Sequence, residues 1–204
     1  MILFGQYDSP FVRRVAVAMV HYDMAFERRS LSVFGDFADL QRVNPLGKVP
    51  ALVHNDGFTL YDSTFILDWL DEQAGPDRAL TPAGGDDRRA VQQLVAVALG
   101  AAEKSVERNG ETVRRPPDKQ VPENVSRIDR QIAAALEWLE ARTGDGWLHG
   151  NTLSQADVTV TAALAHLGRR HPQLLADRYP RLQALAARCE ALPAFQAVPF
   201  EAGG

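Results

Sequence analysis

Strand-type signals in this chain are confined to its first 75 residues, and that asymmetry limits the fold more than any other feature. Ile2 to Gln6 reads as a short strand. Val12, Val15, Ala16, Met19 and Val20 recur at i, i+3, i+4, i+7 and i+8, the stripe of an amphipathic helix. Phe26 to Leu31 reads as a second strand, and Asp36 to Arg42 as a short helix or irregular segment. Ala51 to His54 and Phe58 to Tyr61 read as a hairpin, because Asn55-Asp56-Gly57 between them tolerates the positive φ of tight turns. Another helix follows from about Ser63 to Gln73. The order β-α-β-α-β-β-α predicts an α/β domain over residues 1–75.

Residues 76–85 lie in "GPDRALTPAGG", whose glycines and prolines mark an interdomain linker. Beyond it the grammar is helical, which predicts an all-α bundle over residues 86–204. Long helices are expected over 86–108 and 122–142, the second with Ile128, Ile132, Leu136 and Leu139 on one side. The polar stretch 107–122, holding Asn109-Gly110 and Pro116-Pro117, reads as a loop joining them. A helix over 155–167 is apolar nearly all round, which predicts burial at the bundle's centre. One or two shorter helices fill 172–200. In "LSQADV" (153–158), Ser154 and Asp157 form a capping box and Leu153 and Val158 a hydrophobic staple, a device for folding rather than chemistry.

Composition narrows the function. Hydrophobic residues at 46% and charged residues at 24% describe an ordinary globular chain. No apolar run approaches the roughly 18 residues that span a bilayer, and no signal peptide opens the chain, so a cytoplasmic protein with no membrane partner is expected. The lone Cys189 excludes an internal disulfide or a Cys-x-x-Cys pair and reads as a packing residue. Net charge is −4, and the arginine pairs, Arg13-Arg14 and Arg28-Arg29 among them, are scattered and offset by acids. Nucleic acid would need one concentrated basic face. A small anionic ligand stays open.

"YDSPFVRRV" (7–15) bears on that ligand. Ser9 with Pro10 is an ordinary helix start, the serine at N-cap and the proline at N1. It is equally a hydroxyl held where an anion binds, since a helix N-terminus offers unpaired N–H groups and partial positive charge. Pro50 reads as a strand-start residue and Asp62-Ser63 as another helix cap.

Four pieces, "SPFVRRV", "NPLGKVPAL" (44–52), "LYDSTFILDWL" (60–70) and "GNTLSQADVTV" (150–160), occur in order across the switch from α/β to helical grammar. Together they resemble the cytosolic glutathione transferase family, of the bacterial, serine-using type, over essentially the whole chain. The resemblance implies a thioredoxin-like N-terminal domain with a glutathione site, an all-helical C-terminal domain, a homodimer and no metal. It also implies a variable electrophile site between the domains, drawing on residues such as Tyr7, Phe11 and the helix from Leu99 to Arg108.

The resemblance further implies residue roles. Ser9 donates a hydrogen bond to the glutathione sulfur, and Tyr7, the donor's counterpart in other branches, lines the pocket or packs. Val49-Pro50 is cis and turns the Val49 backbone toward the cysteinyl part of glutathione. Lys48 approaches the glycine carboxylate or stands solvated. Ser63 binds the γ-glutamyl carboxylate through its hydroxyl and N–H, and Asp62 pairs with the γ-glutamyl ammonium. No cysteine lies near Ser9, which argues against thiol-disulfide chemistry. The implied activity is a glutathione transferase that directs the thiol, its co-substrate, at a small apolar electrophile. The alternatives are a specialised glutathione-dependent isomerase, dehalogenase or peroxidase, or a non-catalytic interaction protein. An adaptor needs no intact thiol site, which disfavours the last.

Overall fold

The computed structural model describes residues 1–201. They form two compact units, Met1–Ala83 together with the segment from Ala191 onward, and Gly84–Glu190. The first is a thioredoxin-like α/β unit and the second is all-α.

In the first unit β1 (Ile2–Phe4), β2 (Glu27–Arg29), β3 (Ala51–Val53) and β4 (Thr59–Tyr61) form one sheet in the order β2-β1-β3-β4. β1 and β2 run parallel, while β3 is antiparallel to both β1 and β4. The helices are α1 (Pro10–His21), α2 (Phe37–Val43) and α3 (Ser63–Ala74). The expected stripe on α1 is buried except at its end: Val12, Val15, Ala16 and Met19 are inaccessible to solvent and share the core with Leu3, Leu52, Ile66 and Leu70, while Val20 is half-buried. Each such large side chain contributes about 1.5–3 kcal/mol by leaving water. The strands are shorter than their sequence signals. β1 stops at Gly5, whose φ of 131° no extended strand holds. Tyr22, just past α1, donates its hydroxyl to Asp71 of α3 and accepts the Leu80 N–H at 2.7 Å. That pair ties α1, α3 and the chain leaving α3 together.

The terminal segment falls with the first unit, whereas its helical grammar predicts a place in one all-α domain over 86–204. Its short α8 (Pro193–Gln196) packs on α1. Buried Arg13 of α1 explains the docking: its Nε donates to the Val198 carbonyl at 3.0 Å and its guanidinium lies 5.5 Å from the centre of the buried Phe195 ring.

The second unit consists of α4 (Gly85–Asn109), α5 (Pro122–Glu140), α6 (Gln155–Arg170) and α7 (Pro180–Glu190). Ile128, Ile132, Leu136 and Leu139 form the buried stripe of α5, and α6 is buried from Gln155 to Leu164. Where a plain loop was expected, a π-helical turn (Gly110–Arg114) and a 3₁₀ turn (Pro117–Lys119) join α4 to α5. Asn109-Gly110 lowers helix propensity by only about 1 kcal/mol, so the backbone keeps turning. Gln120 then pins the turn, its Nε2 donating to the Thr112 and Arg115 carbonyls at 3.0 and 3.1 Å.

The capping box forms, and it does more than cap. Asp157, fully buried, accepts the Ser154 N–H at 2.8 Å, the Ser154 hydroxyl at 2.7 Å and the Leu148 N–H at 2.8 Å. One carboxylate therefore fixes both the start of α6 and the loop before it. Cys189 is buried, and that burial pushes its thiol up to about 11. Among the described residues no helix is long and apolar enough to cross a membrane.

Candidate functional site

Strand register brings three sequence motifs to one end of the sheet. Phe4 pairs with Ala51 and Ala51 with Tyr61, making one row across β1, β3 and β4. The segment to Ser9 leaves that row after β1, Val49-Pro50 enters it before β3, and Asp62-Ser63 leaves it after β4. The alternating strand directions put all three at the same edge.

Gly5 lets them approach. A Cβ there would stand 2.4 Å from Val12 Cγ2 and 3.0 Å from Val49 Cβ, so only glycine passes between α1 and Val49. The next turn closes with the Ser9 N–H donating to the Gln6 carbonyl at 3.2 Å. Ser9 is the N-cap of α1, its Oγ accepting the Val12 N–H at a long 3.4 Å, with Pro10 at N1. A hydroxyl oxygen that accepts still has its hydrogen to donate. Both readings of Ser9 are therefore geometrically compatible. The Phe11 N–H in the same first turn has no partner among the described residues.

Val49 and Pro50 are joined by a cis peptide bond. The turn before them is built by Asn44, whose buried side chain accepts the Leu46 N–H at 3.0 Å and donates to the Lys48 carbonyl at 2.8 Å. Gly47 completes it at φ 60°, where a Cβ would meet the Phe37 ring at 2.3 Å. The Val49 N–H donates to no group among the described residues. The Lys48 side chain is exposed.

Asp62 is the N-cap of α3, accepting the Thr64 N–H at 2.7 Å. Its φ of 65° is left-handed for a residue with a Cβ, a conformation costing of order 1–3 kcal/mol and concentrated at functional sites. Ser63 beside it is 3% exposed. Arg14, fully buried on α1, donates from Nη1 to Ser63 Oγ at 3.5 Å. A guanidinium only donates, so Ser63 accepts there and its hydroxyl hydrogen is left for an acceptor elsewhere. Burial pushes Arg14 down to about 9, opposed by Asp62 and Asp71, so it stays cationic at neutral pH. Its Nε has no hydrogen-bond partner among the described residues. A buried cation beneath a helix N-terminus is an arrangement suited to an anion.

Three participants were invisible to sequence reasoning. Arg14 belongs to one of the arginine pairs that the sequence shows only as scattered and offset by acids, and its partner is 49 residues away. Arg28 lies with its guanidinium 4.1 Å over the Tyr7 ring and pairs through Nη1 with Glu201 at 2.6 Å. Glu201 also accepts the Tyr7 N–H at 3.4 Å. Burial raises the Tyr7 phenol, with Arg28 pulling the other way. No local signal marks such long-range pairs. The helical unit has its own open cleft of about 600 Å³, lined by Val125, Ile132, Leu174 and Tyr179 among others, which includes none of the motif residues.

Comparison with known proteins fits both units. The family model described as glutathione S-transferase, N-terminal domain, matches residues 3–78, and that of the C-terminal domain matches residues 122–188. A probable maleylacetoacetate isomerase from Vibrio cholerae is 30% identical over 213 residues, covering 98% of this chain and 95% of its own. A glutathione S-transferase from Methylobacterium radiotolerans, solved in complex with glutathione sulfonate, superposes with a TM-score of 0.92 at 27% identity, covering 99% of this chain and 96% of that one. A glutathione transferase family member from Pseudomonas fluorescens, solved with bound S-(propanoic acid)-glutathione, gives 0.80 at 31% identity, with 97% and 98% coverage.

Proposed function

Because the chain belongs to the glutathione S-transferase family, we propose that it binds glutathione at the Phe4–Ala51–Tyr61 edge of its sheet, with Ser9 holding the thiolate for attack on a small apolar electrophile. The observation that carries this reading is the convergence of Ser9, Val49-Pro50 and Asp62-Ser63 on one edge. The two solved relatives named with glutathione derivatives support it.

Each contact follows from chemistry. The γ-glutamyl carboxylate meets the Ser63 hydroxyl and N–H at the start of α3, above cationic Arg14. The γ-glutamyl ammonium meets Asp62, which has a second oxygen beyond the one capping α3. The Val49 backbone pairs with the cysteinyl peptide, and Lys48 reaches the glycine carboxylate. The sulfur lies at the start of α1, where the Ser9 hydroxyl and Phe11 N–H donate to it.

Thiol activation has a definite scale. A thiol with pKa near 8.5 is only about 3% ionised at neutral pH. Lowering it by two units takes about 2.7 kcal/mol and enlarges the thiolate fraction roughly 25-fold. A charge-assisted hydroxyl donor and a helix terminus together supply energies of that order. Electrophile attack then forms the S–C bond from an already ionised sulfur.

A second reading is a glutathione-dependent isomerase, favoured by the 30% identity to the Vibrio cholerae protein. There the same thiolate adds to an unsaturated substrate and leaves again. We also place the protein in the cytoplasm as a homodimer. A reducing compartment suits a thiol co-substrate and an unpaired Cys189. Phe58 just before β4, Tyr61 at its end and Phe65 in the first turn of α3, exposed by 66%, 39% and 70%, provide an apolar face for a second copy. The test is glutathione itself: millimolar concentrations raise the melting temperature, and immobilised glutathione retains the protein. An unchanged melting temperature together with no retention removes the basis of the reading.

A further inference from the structure

A carboxylate of the protein's own terminal segment sits beside the turn that carries Ser9. Arg28 pairs with Glu201 Oε1 at 2.6 Å while lying over the Tyr7 ring, and Glu201 Oε2 accepts the Tyr7 N–H at 3.4 Å. Tyr7 and Ser9 belong to one turn, closed by the Ser9 N–H on the Gln6 carbonyl. Their Cα atoms are therefore at most about 7.6 Å apart.

The arginines near this edge are not equivalent. Arg13 and Arg14 are buried and already serve Val198 and Ser63. Arg28 keeps 27% of its side chain exposed and Glu201 keeps 37%. The pair is part-buried, yet water reaches both of its ends, which screens it and leaves it open to a competing carboxylate. A guanidinium fork matches any carboxylate of suitable reach, and the ligand that fits Glu201's place is another carboxylate.

We propose that Arg28 determines specificity for electrophiles that carry a carboxylate, and that Glu201 is an internal stand-in which such a substrate displaces. This rests on the glutathione reading above and names the substrate class: small α,β-unsaturated acids. The thiolate, its proton already released to water, forms an S–C bond at the carbon β to whichever carbonyl activates the double bond, in a keto acid the ketone. The π pair moves to the carbon next to that carbonyl, which takes a proton from water; no group leaves and nothing is oxidised. Arg28 holds the substrate carboxylate and so orients the double bond toward the sulfur.

The test uses a matched pair, 4-oxo-4-phenylbut-2-enoate and its methyl ester, which differ by one negative charge. Glutathione addition is followed by loss of enone absorbance, with the uncatalysed rate subtracted. Arg28→Gln lowers the acid-to-ester ratio of kcat/KM by tenfold or more. Glu201→Gln, which removes the competitor, raises that ratio about three- to tenfold. If both variants change acid and ester in equal proportion, Arg28 and Glu201 only buttress Tyr7 and the inference is overturned while the glutathione reading stands. If the wild-type protein accelerates neither compound and glutathione does not stabilise it, both fall together.

Discussion

Removing the Asp157 carboxylate unsettles the helical unit more than removing the serine it caps with. Ser154→Ala deletes one hydroxyl from the box, a loss of about 0.5–2 kcal/mol. Asp157→Ala strands three donors, the Ser154 N–H, the Ser154 hydroxyl and the Leu148 N–H, around a fully buried position. An unsatisfied buried donor costs about 1–3 kcal/mol, but the Ser154 hydroxyl can rotate to another acceptor. Two stranded N–H groups therefore set the expected loss at roughly 2–6 kcal/mol. Asp157→Asn falls between, because one amide oxygen can still accept while the amide nitrogen faces an N–H. At about 2–4 °C per kcal/mol for a chain of this size, Asp157→Ala lowers Tm by roughly 4–24 °C. Urea unfolding followed by tryptophan fluorescence, with Trp69→Phe as the background so that only Trp138 and Trp147 of the helical unit report, reads the series, provided the three variants keep the wild-type m-value. A loss for Asp157→Ala no larger than that for Ser154→Ala would refute the argument that one carboxylate holds both the helix start and the preceding loop.

Further outcomes are expected elsewhere. Ser63→Ala weakens glutathione binding about tenfold by calorimetry, since the γ-glutamyl carboxylate loses a charge-assisted hydrogen bond; normal affinity would put the site elsewhere. His166, buried against the Ser105 hydroxyl at 2.7 Å, is pushed down to about 4 by burial first and then by His171 and Arg170. Its neutral form dominates in the fold while the unfolded chain takes up a proton below about 6.5, so stability is full above that pH and falls as pH drops toward 4, by up to about 3 kcal/mol. His166→Gln flattens that part of the pH–stability profile, and an unchanged slope would assign the titration to other groups. Light scattering gives twice the 22.4 kDa chain mass, and Phe65→Glu shifts it toward monomer; a stable wild-type monomer at micromolar concentration contradicts the dimer.

What sequence disclosed and what it hid divide along physical lines. The stripe of Val12, Val15, Ala16 and Met19 and the Asn55-Asp56-Gly57 turn are local, so periodicity and turn chemistry found α1 and the β3–β4 hairpin. In that turn Asp56 Oδ1 accepts the Phe58 N–H at 2.8 Å and Gly57 adopts φ 89°. The Ser154–Asp157 box was legible for the same reason, but the Leu148 N–H on Asp157 was not, because nothing in the loop announces its partner. Arg13 and Arg14 misled most. Charge marks a residue as exposed, whereas here Val198, Phe195 and Ser63 supply what two buried guanidiniums need, from positions remote in the chain. The terminal segment reads as helical from its composition, and its docking on α1 runs through the Arg13 contacts with Val198 and Phe195.

The central claim is that Ser9 stabilises the glutathione thiolate, and thiolate absorbance of the bound complex against pH tests it most directly. Wild type, Ser9→Ala and Tyr7→Phe are titrated with saturating glutathione. The long 3.4 Å cap bond from Val12 means that Ser9→Ala loses little helix stability, so the variant folds and binds. The account predicts a bound-thiol pKa well below the free value in wild type, a rise toward the free value in Ser9→Ala, and little change in Tyr7→Phe. An unchanged titration in Ser9→Ala, with a large upward shift in Tyr7→Phe, would make Tyr7 the donor and leave Ser9 a helix cap alone.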